Sequence, residues 1–284
     1  MEQIITGFAV AVTAIILLSA SVYDWRYREI PDWHWMALFL LSIVLSVIVV
    51  VRGSTGAVGF LMPICIAVIA FDCLFDRDSS RLFDIVIYLI VAVTAAIPFH
   101  FIGGDVGKAF ISIPIMYAVM TILYYTGIVK GGADAKSIIA IAAVFPIYPE
   151  MFGLPLIPVP DGAMPQVFVP AFAVLTMALV ISLFYGMYNI VCNLIRGDTA
   201  WPQMFLGTRM TLEKAKGSKV WPMAEICDGE VVDIGTANED EGIWNELGKY
   251  DVQEIWVTAM IPFLIPIAIA YLIMVVVGFP LFIL

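Results

Sequence analysis

The sequence predicts an all-α polytopic membrane protein of about eight transmembrane helices, with a small β-containing cytosolic subdomain before the last helix. Three observations carry that reading. Of the 284 residues, 62% are hydrophobic and only 13% charged, at a mean hydropathy of +1.00, where an ordinary soluble domain has roughly 25% charged residues. Apolar runs of about 20 residues, the length a helix needs to cross a bilayer, recur along the chain. The polar residues instead gather in one stretch, 196–254, with twelve acids against six bases.

In chain order, the first span is expected at 4–22. It gives way to SVYDWRYREIPDWHW, where Arg26 and Arg28 mark a polar edge and Pro31 stops the helix. The second, 34–51, reaches Arg52, and the third, 57–75, reaches Arg77 and Arg81. The fourth, 83–102, runs into FIGGDVGK, and the fifth, 109–127, reaches Lys130. A sixth at 134–150 opens in VKGGADAKSIIAIAAVF, a seventh at 167–193 leads to Arg196, and the last lies at 256–282. The polar stretch mixes strand-like pieces, KVWPMAEI and GEVVDI, with turn residues, as a β-hairpin or short sheet would. The chain therefore divides into a membrane domain (1–195) carrying seven spans, a soluble subdomain (196–254) and a closing transmembrane segment (255–284).

Basic residues orient these spans, because they collect on the cytosolic side of membrane proteins. With the N-terminus outside, Arg26, Arg28, Arg77, Arg81, Lys130 and Lys136 fall in inside loops, and the polar stretch adds six more. Only Arg52 and Lys108 fall outside. The N-terminal run lacks a basic region before it, so it reads as an uncleaved span in a cytoplasmic membrane. The net charge of −10 excludes nucleic acid as a partner, since phosphate binding needs a basic face. Cys65, Cys73, Cys192 and Cys227 form no C-x-x-C pair and are expected as reduced thiols. His34 is expected at the interface beside Trp33 and Trp35. A lone His100 at the outer side makes a metal site unexpected.

This topology brings Asp24, leaving the first span, and Asp134, entering the sixth, to the same cytosolic surface. Acids at a membrane edge are costly and point to function. Asp134 could alternatively cap its helix, and Asp24 could pair with Arg26 or Arg28. As a pair, two close carboxylates share a proton: one activates water while the other protonates a peptide carbonyl. The helix dipoles favour Asp134 as the ionised member and Asp24 as the protonated one. Asp105, after Gly103 and Gly104 in FIGGDVGK, looks like a competing acid, but the topology puts it across the roughly 30 Å core from Asp24, in a turn between spans. Asp72, Asp76, Asp78 and Asp84 are expected in a solvated cytosolic loop, where with 196–254 they could attract a basic peptide.

D-W-R-Y-R-E-I-P-D, followed far downstream by G-G-A-D-A-K, resembles the paired signature of the type IV prepilin peptidase family, and most nearly its archaeal preflagellin peptidase branch of GxGD membrane aspartic proteases. The segment Q-E-I-W-V-T-A-M-I-P-F-L-I-P-I-A resembles the approach to the last span in that branch. The resemblance implies cytosolic-face cleavage of the short basic leader of archaellin or pilin precursors in a lipid membrane, typically after a glycine, with no cofactor or metal. It places the catalytic aspartates at Asp24 and Asp134, and the flexible approach for substrate at Gly131 and Gly132, with Lys136 close by. Two departures stand out. The family has glycine where this chain has Ala133, which would cost about 1–2 kcal/mol if that position needed φ > 0. Four spans separate the two aspartates, where archaeal relatives have two. Presenilin-like and signal-peptide-peptidase-like proteases also carry a Tyr-Asp pair, matched by Tyr23–Asp24, but this chain has no Pro-Ala-Leu element. A proton-coupled transporter would place its acids near the midplane, and in a non-catalytic scaffold the aspartates would be dispensable.

Overall fold

A computed structural model describes residues 2–53, 55–75, 80–102, 104–129, 131–158, 170–240, 242–260 and 262–280. The expectations placed on Asp76, Arg77, Asp78, Gly103 and Lys130 lie outside these residues. The helices are α1 (Glu2–Tyr27), α2 (Trp33–Arg52), α3 (Gly56–Gly59), α4 (Leu61–Leu74), α5 (Arg81–Ile102), α6 (Gly104–Phe110), α7 (Ser112–Tyr125), α8 (Gly132–Val144), α9 (Pro170–Arg196), α10 (Gln203–Leu206), α11 (Leu212–Lys216), α12 (Ile243–Leu247) and α13 (Leu264–Val276). The strands are β1 (Thr208–Thr211), β2 (Val220–Pro222), β3 (Ala224–Cys227), β4 (Glu230–Asp233) and β5 (Glu254–Ala259).

Among the described residues six helical segments are long and apolar enough to cross a membrane: α1, α2, Gly56–Leu74, α5, Val106–Tyr125 and α9. The sixth and eighth expected spans are shorter helices of 13 residues each. Both limits have local causes. α8 stops at Val144 because Phe145 precedes Pro146, and a residue before proline is pushed out of the α region; its φ of −123° and ψ of 76° reflect this. The last helix starts at Leu264 rather than 256 because Glu254–Ala259 is the central strand of a sheet.

The chain forms two compact units, Met1–Ala178 with Pro262–Leu284, and Leu179–Ile261. In the first, α1 packs on α2 and α13, α2 on α4 and α8, α4 on α5, and α7 on α8. α8 is buried at Ala135 and at every residue from Ser137 to Val144, as an apolar-all-round helix of small and aliphatic residues should be. Outward side chains such as Ile15, Leu40 and Leu89 are exposed, the apolar surface that lipid covers. α13 holds α1 at two levels: the Tyr271 hydroxyl donates to the Val10 carbonyl (3.1 Å), and Ser21 Oγ donates to the Leu264 carbonyl (3.1 Å).

The second unit contains a three-stranded antiparallel sheet in the order β1-β5-β2 and a β3–β4 hairpin. The hairpin loop is Asp228-Gly229, with φ of 51° and 83°. Both residues are left-handed, as a two-residue type I′ turn requires. Val220, Ala224, Ile243, Leu247, Ile255 and Val257 close a small apolar core.

Candidate active site

α1 ends at a non-glycine left-handed residue. Arg28 has φ 60°, and its N–H bonds to the Asp24 carbonyl at 3.1 Å. The same turn carries the Arg28 guanidinium back to 3.9 Å from the Asp24 carboxylate. Asp24 therefore stands in the last turn of α1, half-buried, with a cation beside it. The expected pairing with an arginine is present, and it is with Arg28.

Asp134 does not cap its helix. Gly131 is the N-cap, and its carbonyl accepts from the N–H groups of Asp134 (3.1 Å) and Ala135 (3.2 Å). That places Asp134 in the first turn of α8, near the positive end of the helix dipole. Gly131 has an extended backbone, φ −81° and ψ 113°, which any residue could adopt. Its need for glycine is steric: a Cβ there would fall on the Asp134 carboxylate oxygen. Gly132 and Ala133 lie in the helix, so alanine at 133 meets no requirement for positive φ. The expected cost of that departure does not arise.

The two acids meet. The charge of Asp24 acts on the Asp134 carboxyl across 110 residues of sequence. Beside them, Lys136 Nζ reaches Asp32 Oδ1 at 2.9 Å. This bridge ties the last residue of DWRYREIPD to the last residue of GGADAK. It is part-exposed, so its free energy is worth about 0.2–1 kcal/mol; its geometry, more than its strength, is informative. Lys136 thus pairs with Asp32 across the two sequence blocks.

His34 departs most from expectation. It is fully buried between α1 and α2 instead of interfacial. Its Nδ1 lies 2.9 Å from the Pro31 carbonyl and its Nε2 3.1 Å from Ser19 Oγ. A carbonyl only accepts, so Nδ1 carries the proton and the ring joins the 28–32 turn to α1. Trp33 stacks on it at 3.7 Å and Tyr23, next to Asp24, meets it edge-on at 5.2 Å. His34→Ala is expected to lower stability by about 2–4 kcal/mol, from lost packing and two lost hydrogen bonds, read as a drop in the thermal midpoint of the purified protein. An unchanged midpoint would contradict this clasp. Trp35 is likewise fully buried, while Trp33 remains half exposed. Nothing in a lone His-Trp sequence distinguishes a belt from a clasp, although the Pro-Asp before it signals a helix start.

Asp105 lies in α6, beyond the end of α5 that is distal to Tyr88. That short helix replaces the expected turn at 104–105. α5 continues for 14 residues beyond Tyr88, about 21 Å of helix, which separates Asp105 from the part of the bundle where Tyr88, Gly132 and Lys136 share a cavity. Asp72 is not in a solvated loop but in α4, and it accepts a hydrogen bond from the Tyr117 hydroxyl. Asp84 lies in the first turn of α5. All four cysteines are free thiols. Among the described residues no group of three or more His, Cys, Asp or Glu side chains could hold a metal ion.

The chain is similar to three preflagellin peptidases. It is 24% identical over 287 residues to that of Methanocaldococcus jannaschii, covering 94% of this chain and 92% of that protein. It is 24% identical over 273 residues to that of Methanococcus maripaludis, with 93% of each chain covered. To that of Methanococcus voltae it is 25% identical over 276 residues, again with 93% of each covered. No protein-family model matches the chain.

Proposed function

We propose that this chain, a relative of the archaeal preflagellin peptidases, is a membrane-embedded aspartic endopeptidase that removes the short basic leader of archaellin or type IV pilin-like precursors at the cytosolic membrane face. The observation that carries the reading is the meeting of two distant sequence blocks: Asp24 acts on Asp134, and Lys136 bonds Asp32 beside them. Similarity along about nine-tenths of the chain to proteins named for this activity supports the substrate class.

The chemistry follows from two carboxyl groups sharing one proton. The ionised one takes a proton from water as the oxygen attacks the scissile carbonyl, and the protonated one donates to the carbonyl oxygen. Collapse of the tetrahedral intermediate breaks the C–N bond. The nitrogen leaves with a proton from the carboxyl that gained one, while a hydroxyl of the intermediate returns its proton to the other carboxylate as the C=O re-forms, so the pair again holds one proton. The dipole argument alone put the charge on Asp134, but the Arg28 cation beside Asp24 offsets the unfavourable helix end there. The roles therefore belong to the pair, not to one fixed member.

The test is incubation of the purified chain in detergent with a full-length archaellin precursor, read by intact mass and N-terminal sequencing. One cut between leader and mature chain is expected. A precursor left intact by folded protein would contradict the assignment.

A further inference from the structure

α1 closes in a conformation that glycine usually serves. The Arg28 N–H bonds to the Asp24 carbonyl at 3.1 Å, with φ 60° at Arg28, the left-handed stop that follows many helices. An L side chain is disfavoured there and glycine is not, so an arginine in that place calls for a use of its side chain. Among the described non-glycine residues with positive φ, Arg28, Phe152 and Asp228, Arg28 is the one paired with an acid of the candidate site.

The side chain turns back over the last turn of α1. Its Nη1 stands 3.9 Å from Asp24 Oδ1, with the Arg28 side chain 37% and the Asp24 side chain 14% exposed. That separation is longer than a hydrogen bond. The cation therefore acts on the carboxylate by charge and leaves its oxygens free to share a proton and to meet water. Among the described residues, the other elements packed on α1 bring no second cation to this role. α8 brings Asp134, and its Lys136 is held on Asp32 at 2.9 Å. α2 brings His34, whose ring bonds to Pro31 and Ser19. α13 has no charged residue, and its Tyr271 bonds to the Val10 carbonyl.

In its working form the pair holds one proton and one negative charge. We propose that Arg28 is the positioning residue that holds this charge, and that it sets the pH range over which the pair is in its working form. It touches neither water nor substrate and acts through Asp24; the proposal rests on the peptidase reading above. A neighbouring cation favours each loss of a proton from the pair. Removing it should carry both limbs of the activity profile to higher pH.

The experiment measures kcat/KM on one full-length archaellin precursor, in detergent and from acid to alkaline pH, for wild type, Arg28→Gly, Arg28→Gln and Arg28→Lys. Arg28→Gly relieves the left-handed backbone and keeps the N–H, so its thermal midpoint should be no lower than that of wild type. Its two limbs should nonetheless move up by about one pH unit, the low end for an adjacent cation because solvent screens a part-exposed guanidinium. kcat/KM then falls about 10-fold on the acid limb and rises about 10-fold on the alkaline limb. Arg28→Gln should shift the profile in the same way. Arg28→Lys keeps the charge and should stay closer to wild type than either. Limbs that stay in place in Arg28→Gly or Arg28→Gln overturn the proposal, and so does a fall by one factor at every pH, which is what a merely structural role would give. If one of these two variants does not fold, the other decides by the same criterion. A precursor left intact by wild type at every pH overturns the peptidase reading, and the role of Arg28 with it.

Discussion

Gly131→Val is expected to lower kcat/KM by about 100-fold or more while leaving the protein folded. The backbone at 131 is extended, with φ −81° and ψ 113°, so valine meets no backbone strain there. Its Cβ, however, falls on the Asp134 carboxylate oxygen, and that carboxylate must turn away from the place it holds in the first turn of α8. A displacement of about 1 Å in a reacting group costs on the order of 100-fold in rate. Gly131→Ala should move activity in the same direction by less. Ala133→Gly provides the contrast: residue 133 is helical, so restoring the family's glycine should bring no gain and should cost about 1 kcal/mol of helix stability. Initial rates on one precursor, with thermal midpoints as the folding control, check all three. Wild-type kcat in Gly131→Val would contradict the placement of Asp134.

Much of this arrangement is legible in the sequence, for reasons that differ between elements. Long apolar runs report spans directly, and α1, α2, α5 and α9 lie close to where hydropathy places them. The D-G turn and its flanking alternation report the β3–β4 hairpin. Helix parity, with loop charges, brings Asp24 and Asp134 to one end without any knowledge of packing. What is not legible depends on contacts between distant residues. Trp256, Val257 and Thr258 read as the start of a span because they are apolar and abut α13, yet they pair with β1 and β2 in the middle of a sheet. His34 looks interfacial until α1 meets it, and Trp35 until α4, α7 and α8 come together around it. Asp72 reads as part of an acidic loop because Asp76 and Asp78 follow it, but the helix continues past it and Tyr117 bonds it from 45 residues away. Lys136 has the residue type and place of a topological anchor, and only the fold shows Asp32 within 2.9 Å of it.

Asp24→Asn and Asp134→Asn should each reduce cleavage by about 1,000-fold or more, the largest effects expected anywhere in the chain. Asparagine keeps the shape of the side chain and some of its hydrogen bonding, but it can neither take a proton from water nor hold the shared one. General acid–base catalysis of this kind is worth about 10²–10⁴-fold. Because the two groups act as one unit, the double variant should be no worse than the poorer single variant. Asp24 also carries a contact that is not chemical, its 3.9 Å approach to Arg28. A thermal midpoint for Asp24→Asn separates loss of that contact from loss of function. Acids at a membrane edge carry a solvation cost, so both neutral variants should be at least as stable as wild type apart from that one contact.

The most direct measurement sets four proteins side by side on one archaellin precursor: wild type, Asp24→Asn, Asp134→Asn and Asp105→Asn. Asp105 is the control that the topology defines, since it follows two glycines in sequence but stands beyond the far end of α5. Cleavage by wild type and Asp105→Asn, with loss in Asp24→Asn and Asp134→Asn, is the predicted result. Full activity in either Asp24→Asn or Asp134→Asn, or loss of activity in Asp105→Asn alone, would contradict a catalytic pair formed by Asp24 and Asp134.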